Sequence, residues 1–299
     1  MNNVSVGGVP LKNYLILFLL AVIWSSSFMV IKVTVDTIPP LTLTAARLVL
    51  AAMMLGTVLI IKGEKLPRDF RIWKMCVLLG IFGNALPFSL ISFGETGITS
   101  SQTSILMAVM PLGTVLLAHF FSEGERATGF GILGVLVGFG GIVILVGPSA
   151  LKGLGGHLWF QLSVAGGAMS YSIATVLAKH MPPSSLLGRS VAVMICASII
   201  MVSAAFVIER PMSVDLTMPA ALGAVYLGLL PTAIATLLYF KLISSQGAGF
   251  MAYVNYLIPV LGVFWGAILL NETVTIQALA ALVTILAGLL IANYRPRET

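Results

Sequence analysis

Three observations predict an all-α integral membrane protein of ten transmembrane helices, arranged as two inverted five-helix repeats. Of the 299 residues, 59% are hydrophobic and 9% charged, with a mean hydropathy of +1.07. So much apolar surface exceeds what one water-soluble core can bury. The apolar runs are about 20 residues long rather than alternating ten-residue segments, which selects helices over a barrel. Finally, one pattern occurs twice: a proline inside an apolar run (Pro111, Pro259), then a polar break with Glu-x-x-Thr (Glu125/Thr128, Glu272/Thr275), then a glycine in the next run (Gly141, Gly288). The copies lie half a chain apart, as an internal duplication requires.

Span one is expected over 14–33. Lys12 precedes it, but the run is too long for a signal-peptide core and ends without a small-residue cleavage site, so it is read as a retained helix. Pro39-Pro40 then opens span two, 41–61. The basic cluster from Lys62 to Lys74 separates it from span three, 72–93, which contains Pro87. Span four, 101–121, contains Pro111 and ends at the Glu125-x-x-Thr128 break, where the threonine suits the N-cap of span five, 128–146. The two acids are read as structural hairpin residues. Gly131, Gly134, Gly138 and Gly141 on span five, with Thr284-x-x-x-Gly288 on span ten, allow close helix approach, either within each half or between halves. Span six, 158–178, runs to a second Pro-Pro pair, Pro182-Pro183, and span seven covers 186–208. Span eight, 220–243, holds Pro231 where span three has Pro87. Span nine, 248–270, holds Pro259, and span ten covers 274–294. The repeats are therefore assigned to 1–150 and 151–299. With five helices each, an odd number, the second must enter the membrane from the opposite face.

Charge sets the expected orientation. With the N-terminus inside, twelve of the sixteen Lys and Arg residues fall on the cytoplasmic side and only Lys32, Arg47, Lys152 and Arg210 outside, so both termini are expected in the cytoplasm. The net charge of +6 is thereby accounted for without nucleic acid. Cys76 and Cys196 have no pairing or metal spacing and read as packing residues.

Trp24-Ser25-Ser26-Ser27-Phe28 in span one, the Pro-Pro followed by Arg47, the proline of span four and the Gly-Glu-Arg-x-Thr that closes it resemble, as a set spaced over nearly the whole chain, the EamA-type ten-helix transporters of the drug/metabolite transporter superfamily. The resemblance implies a secondary transporter of the plasma (inner) membrane that exports small metabolites by alternating access between its two halves. It does not name the metabolite.

Helices that break at proline free carbonyls, which is tolerated against protein or a water-filled cavity. The symmetric set Pro87, Pro111, Pro231 and Pro259 therefore marks spans three, four, eight and nine, with one and six, as the candidate cavity wall. The candidate substrate contacts are Trp24, Ser27, Asn84, Phe88, Tyr171, Tyr239, Tyr253, Asn255 and Tyr256. Aromatic rings with polar tips suit flat or apolar solutes, and the asparagines can bond either substrate or freed carbonyls. Arg47 and Arg189 are the basic pair repeated by the symmetry. Each can snorkel to its own interface, or guide a carboxylate or phosphate at a mouth of the path.

No carboxylate falls at the centre of a span, and Glu95 lies past the end of span three, so facilitated or weakly coupled transport is expected. There is no HExxH, no Gly-x-Ser-x-Gly and no paired aspartates at depth. Neither an enzyme, a metal site nor a cofactor is expected. The expected partners are a small-molecule substrate and the lipid bilayer, with the protein a monomer. Amino acids with aromatic or apolar side chains are the first choice of substrate. Other small solutes or drugs come second, and sugar phosphates or nucleotide sugars would call for more basic residues within the spans.

Overall fold

The computed structural model describes residues 5–6, 9–121, 128–147 and 157–293. Among them are nine helices long and apolar enough to cross a membrane: α1 (Leu11–Thr34), α2 (Pro40–Ile61), α3 (Phe70–Glu95), α4 (Ser100–Phe121), α5 (Gly129–Val146), α6 (His157–Lys179), α7 (Leu186–Ile208), α8 (Met218–Gly247) and α9 (Gly249–Leu269). A shorter apolar helix, α10 (Ile276–Ala292), completes the ten. A two-residue antiparallel pair, β1 (Ser5–Val6) and β2 (Val9–Pro10), precedes α1; its short run carries no alternating pattern that would announce it.

Local chemistry sets the helix starts. Thr128 and Thr275, the threonines of the repeated break, accept hydrogen bonds from Gly131 N and Ala278 N at 3.1 Å, as N-caps do. Glu125 lies outside the described residues. Its counterpart Glu272 is more than a hairpin residue: its carboxylate reaches across to the first turn of α4, accepting from Ser100 N (2.8 Å), Ser101 N (3.0 Å) and Ser101 Oγ (2.5 Å). Glu209, after α7, does the same for α2, accepting from Leu41 N (3.0 Å), Thr42 N (2.7 Å) and Thr42 Oγ1 (2.9 Å). The residue before α2 is Pro39, which offers no side-chain cap. Both acids thus satisfy orphan N–H groups and meet the positive end of a helix dipole. Glu272→Ala is expected to cost ~1–3 kcal/mol by leaving these donors unpaired, read as a fall in melting temperature of the detergent-solubilised protein.

The same bonds show how the ends lie. The connections after α1, α3, α7 and α9 share one face, where Glu209 meets α2 and Glu272 meets α4. On this face α6 begins, with His157 Nδ1 2.9 Å from Gly97 O. The other face, here the terminal face, carries the start of α1; there Glu64, after α2, meets Ser185, before α7. The first repeat therefore starts on the terminal face and the second on the opposite one.

The repeats pack most closely along α5 and α10. A Cβ on Gly288 would lie 2.5 Å from Gly138 N and 2.7 Å from Gly134 O, and one on Gly134 would collide with the backbone of Gly288 and Ala292. Without a hydrophobic drive between helices in lipid, such backbone approach is how two helices gain dispersion energy. The glycine spacing therefore serves contact between halves. The Thr284 hydroxyl bonds back to Ala280 O at 2.8 Å.

Candidate functional site

All four helices with internal prolines depart from α-geometry. α3 is wound as a π-helix over Ile81–Ala85, just before Pro87, and α8 over Gly228–Ile234, around Pro231. α4 breaks at residues 107–108 before Pro111, and α9 at 252–253 before Pro259. Proline withdraws a donor and crowds the preceding turn, and a widened π turn relieves the crowding. Side chains bond carbonyls close to the breaks. Ser170 Oγ donates to Phe82 O (2.8 Å), Asn84 Nδ2 to Leu79 O (3.3 Å), Ser172 Oγ to Met110 O (2.7 Å) and Thr232 Oγ1 to Leu227 O (2.8 Å). Asn84 is thereby engaged with its own helix.

Arg47 lies between the two π segments. It does not snorkel: it is 6% exposed. Its Nε donates to Thr232 Oγ1 at 2.6 Å, and its Cζ stands 3.7 Å from the centroid of the Phe88 ring. Phe88 follows Pro87 and Thr232 follows Pro231, so one guanidinium bridges the equivalent positions of both repeats. Tyr171 closes the group, its ring edge-on to Phe88 at 6.3 Å and within electrostatic reach of Arg47. Among the described residues no acid pairs with Arg47, and neither of its terminal amino groups donates a hydrogen bond. A buried guanidinium with its fork unoccupied beside aromatic faces can take a carboxylate in two parallel bonds.

Trp24 adjoins this group. Its Nε1 donates to Pro231 O at 3.1 Å, and its ring lies 6.1 Å from that of Tyr239. Tyr239 is in turn within electrostatic reach of Arg189, which is half-buried. The serines beside Trp24 are hydrogen-bonded within the bundle. Ser27 donates to Trp24 O (2.5 Å), Ser26 bonds the Tyr226 hydroxyl (2.7 Å), and Ser25 accepts from Trp265 Nε1 (2.9 Å). Trp24→Phe is expected to cost ~0.5–2 kcal/mol, measured as loss of thermal stability with the helical circular dichroism unchanged.

Phe88, Tyr171, Trp24 and Tyr239 are thus gathered round Arg47 and the α8 break. Tyr253 and Tyr256 are not. Tyr253 is 57% exposed, and Tyr256 donates to Leu289 O at 3.0 Å while accepting from Asn293 at 2.8 Å, which ties α9 to α10. Asn255 is half-buried. Sequence reasoning missed Thr232, although its place after Pro231, matching Phe88 after Pro87, was a signal. It also missed Glu95, which ends α3 fully buried.

Comparison with known proteins gives a consistent result. The model described as the EamA-like transporter family matches residues 11–147 and again residues 158–294. The chain is 23% identical to "Uncharacterized transporter YoaV" of Bacillus subtilis, over 91% of this chain and 93% of that protein. It is 25% identical to "Uncharacterized inner membrane transporter YedA" of Escherichia coli K12, over 92% and 89%. It is also 25% identical to the E. coli K12 protein named "Probable amino-acid metabolite efflux pump", over 94% of each chain. A solved crystal structure superposes with a TM-score of 0.67 at 19% identity, covering 94% of this chain and 96% of that one.

Proposed function

The chain belongs to the EamA-like transporter family, and from that premise we propose that this multi-pass membrane transporter exports amino acids, those with aromatic or apolar side chains first. The observation that carries the reading is the open guanidinium fork of Arg47, held by Thr232 and set against Phe88 and Tyr171. The fork takes the substrate carboxylate, and the rings receive a flat or apolar side chain. Trp24 and Tyr239 extend the aromatic wall along α8. The two repeats, at 1–150 and 151–299, move against each other about the α3 and α8 breaks, which expose Arg47 to each face in turn. The positive-inside bias supports cytoplasmic termini in the inner membrane, the membrane named for YedA. A name on one relative supports efflux of amino-acid metabolites; it is the Arg47 cluster that supports a carboxylate substrate in this chain.

The test is flux in proteoliposomes across a panel of amino acids, with sugar phosphates and cationic dyes as controls. Saturable flux of aromatic or branched amino acids is expected. Flux of sugar phosphates or dyes, with none of amino acids, overturns the reading.

A further inference from the structure

We propose that Glu95 is a proton-binding site, and that closing the face opposite the termini over it requires a proton. Glu95 is the last residue of α3, 0% exposed, and neither carboxylate oxygen has a hydrogen-bond partner among the described residues.

None of its charged or hydroxyl-bearing neighbours makes a hydrogen bond to its carboxylate. Lys32 of α1 donates its ammonium at 2.7 Å to the backbone carbonyl of Glu95, not to its carboxylate. Thr103 of α4 faces the carboxyl, but its hydroxyl donates to Thr99 O at 3.2 Å. Arg47 of α2, also within electrostatic reach, gives its Nε to Thr232. Glu272, before α10, is a second acid in reach, its oxygens filled by the α4 N-terminus. His157 of α6 bonds Gly97 O close by.

An ionised carboxylate sealed in without a donor is among the most costly groups a protein can bury. A protonated one is not, and it has a ready acceptor in the Thr103 hydroxyl, whose lone pairs remain free while it donates. A cavity of about 340 Å³ lies on the same face, lined by Lys32, Gly97, Ile98, Thr99, His157 and Gln161; Glu95 is not in its wall, but Lys32, which bonds the Glu95 carbonyl, is. Water in this cavity delivers the proton when the face opens and carries it off when Glu95 ionises. The face then closes readily only over a neutral Glu95. The structure also corrects the expectation that Glu95 lies past the end of α3, of which it is the last residue.

Two measurements on the full chain in lipid nanodiscs test the site, and neither uses a transported solute, so their failure leaves the amino-acid reading standing. Infrared difference spectra over a pH titration should show a protonated carboxyl band in the wild type, lost in Glu95→Gln and displaced in Glu95→Asp. With Cys76 and Cys196 replaced by serine, Ile98→Cys, buried and lining the cavity, should react with an impermeant maleimide at a rate that, after division by the thiolate fraction at each pH, still rises about tenfold per pH unit until Glu95 is ionised. Adding Glu95→Gln should abolish that residual rise and leave only the thiol's own pH dependence. A wild-type titration without the band, a band that persists in Glu95→Gln, or the same pH profile with and without Glu95 overturns the proposal. If Glu95→Gln does not fold, the displacement in Glu95→Asp decides: an unmoved band overturns the assignment to Glu95.

Discussion

Arg47→Met protein is expected to insert and fold, yet to lose flux of carboxylate-bearing substrates by about thirtyfold to a few thousandfold. Truncating one partner of a buried, charge-assisted pair costs ~2–5 kcal/mol, and each ~1.4 kcal/mol is a factor of ten. The fold should survive because methionine fills most of the same volume while removing a charge that has no acidic partner among the described residues. Thr232 keeps its own bond to Leu227 O. Arg47→Lys separates charge from geometry. Lysine retains the positive point charge but loses the planar fork, so its flux should fall between wild type and methionine. The measurement is initial flux in proteoliposomes, normalised to protein that elutes as a single folded species. Wild-type flux from a well-folded Arg47→Met protein would remove the carboxylate from the site.

Gly288→Val is expected to prevent assembly of the two halves. The new side chain would press on the backbone of Gly138 and Gly134, which cannot rotate aside as a side chain can, so the helices must separate along their length. Overpacking alone commonly costs ~1–3 kcal/mol, and loss of the seam's backbone contacts adds to it, which places this change among the severe ones. Gly140→Val on the neighbouring helix is the matched control, since a Cβ there meets nothing within 4 Å. Fluorescence-detected size exclusion should show an aggregated or degraded Gly288→Val protein and a monodisperse Gly140→Val protein. If the two behave alike, α5 and α10 do not approach as closely as described.

The spans were legible because bilayer thickness dictates run length, and the duplication because proline and glycine mark backbone events that recur with it. The four breaks followed from proline alone. Which residues face one another across those breaks did not. Phe88 and Thr232 lie on different repeats and both touch Arg47, a tertiary fact that their matching places after a proline do not state. Tyr256 stands next to Pro259 in sequence but is turned toward α10, because one-dimensional proximity does not say which side of a helix a residue occupies. Glu95 was lost to a boundary: ending the span at 93 put it in a loop, whereas two more residues of helix bury it. Charged residues are the natural place to end a predicted span, so an acid that sits inside one is what such reasoning overlooks.

The carboxylates of Glu209 and Glu272 also set an order on biogenesis. Both are made by the second half of the gene, yet both complete helices of the first. As the chain leaves the ribosome, α2 and α4 enter the membrane before the carboxylates that will take the N–H groups of residues 41–42 and 100–101 have been made, and they wait until α7 and α9 have followed. A nascent first half is thus an unfinished object that a quality-control protease can recognise. Its maturation waits on translation of the last third of the message.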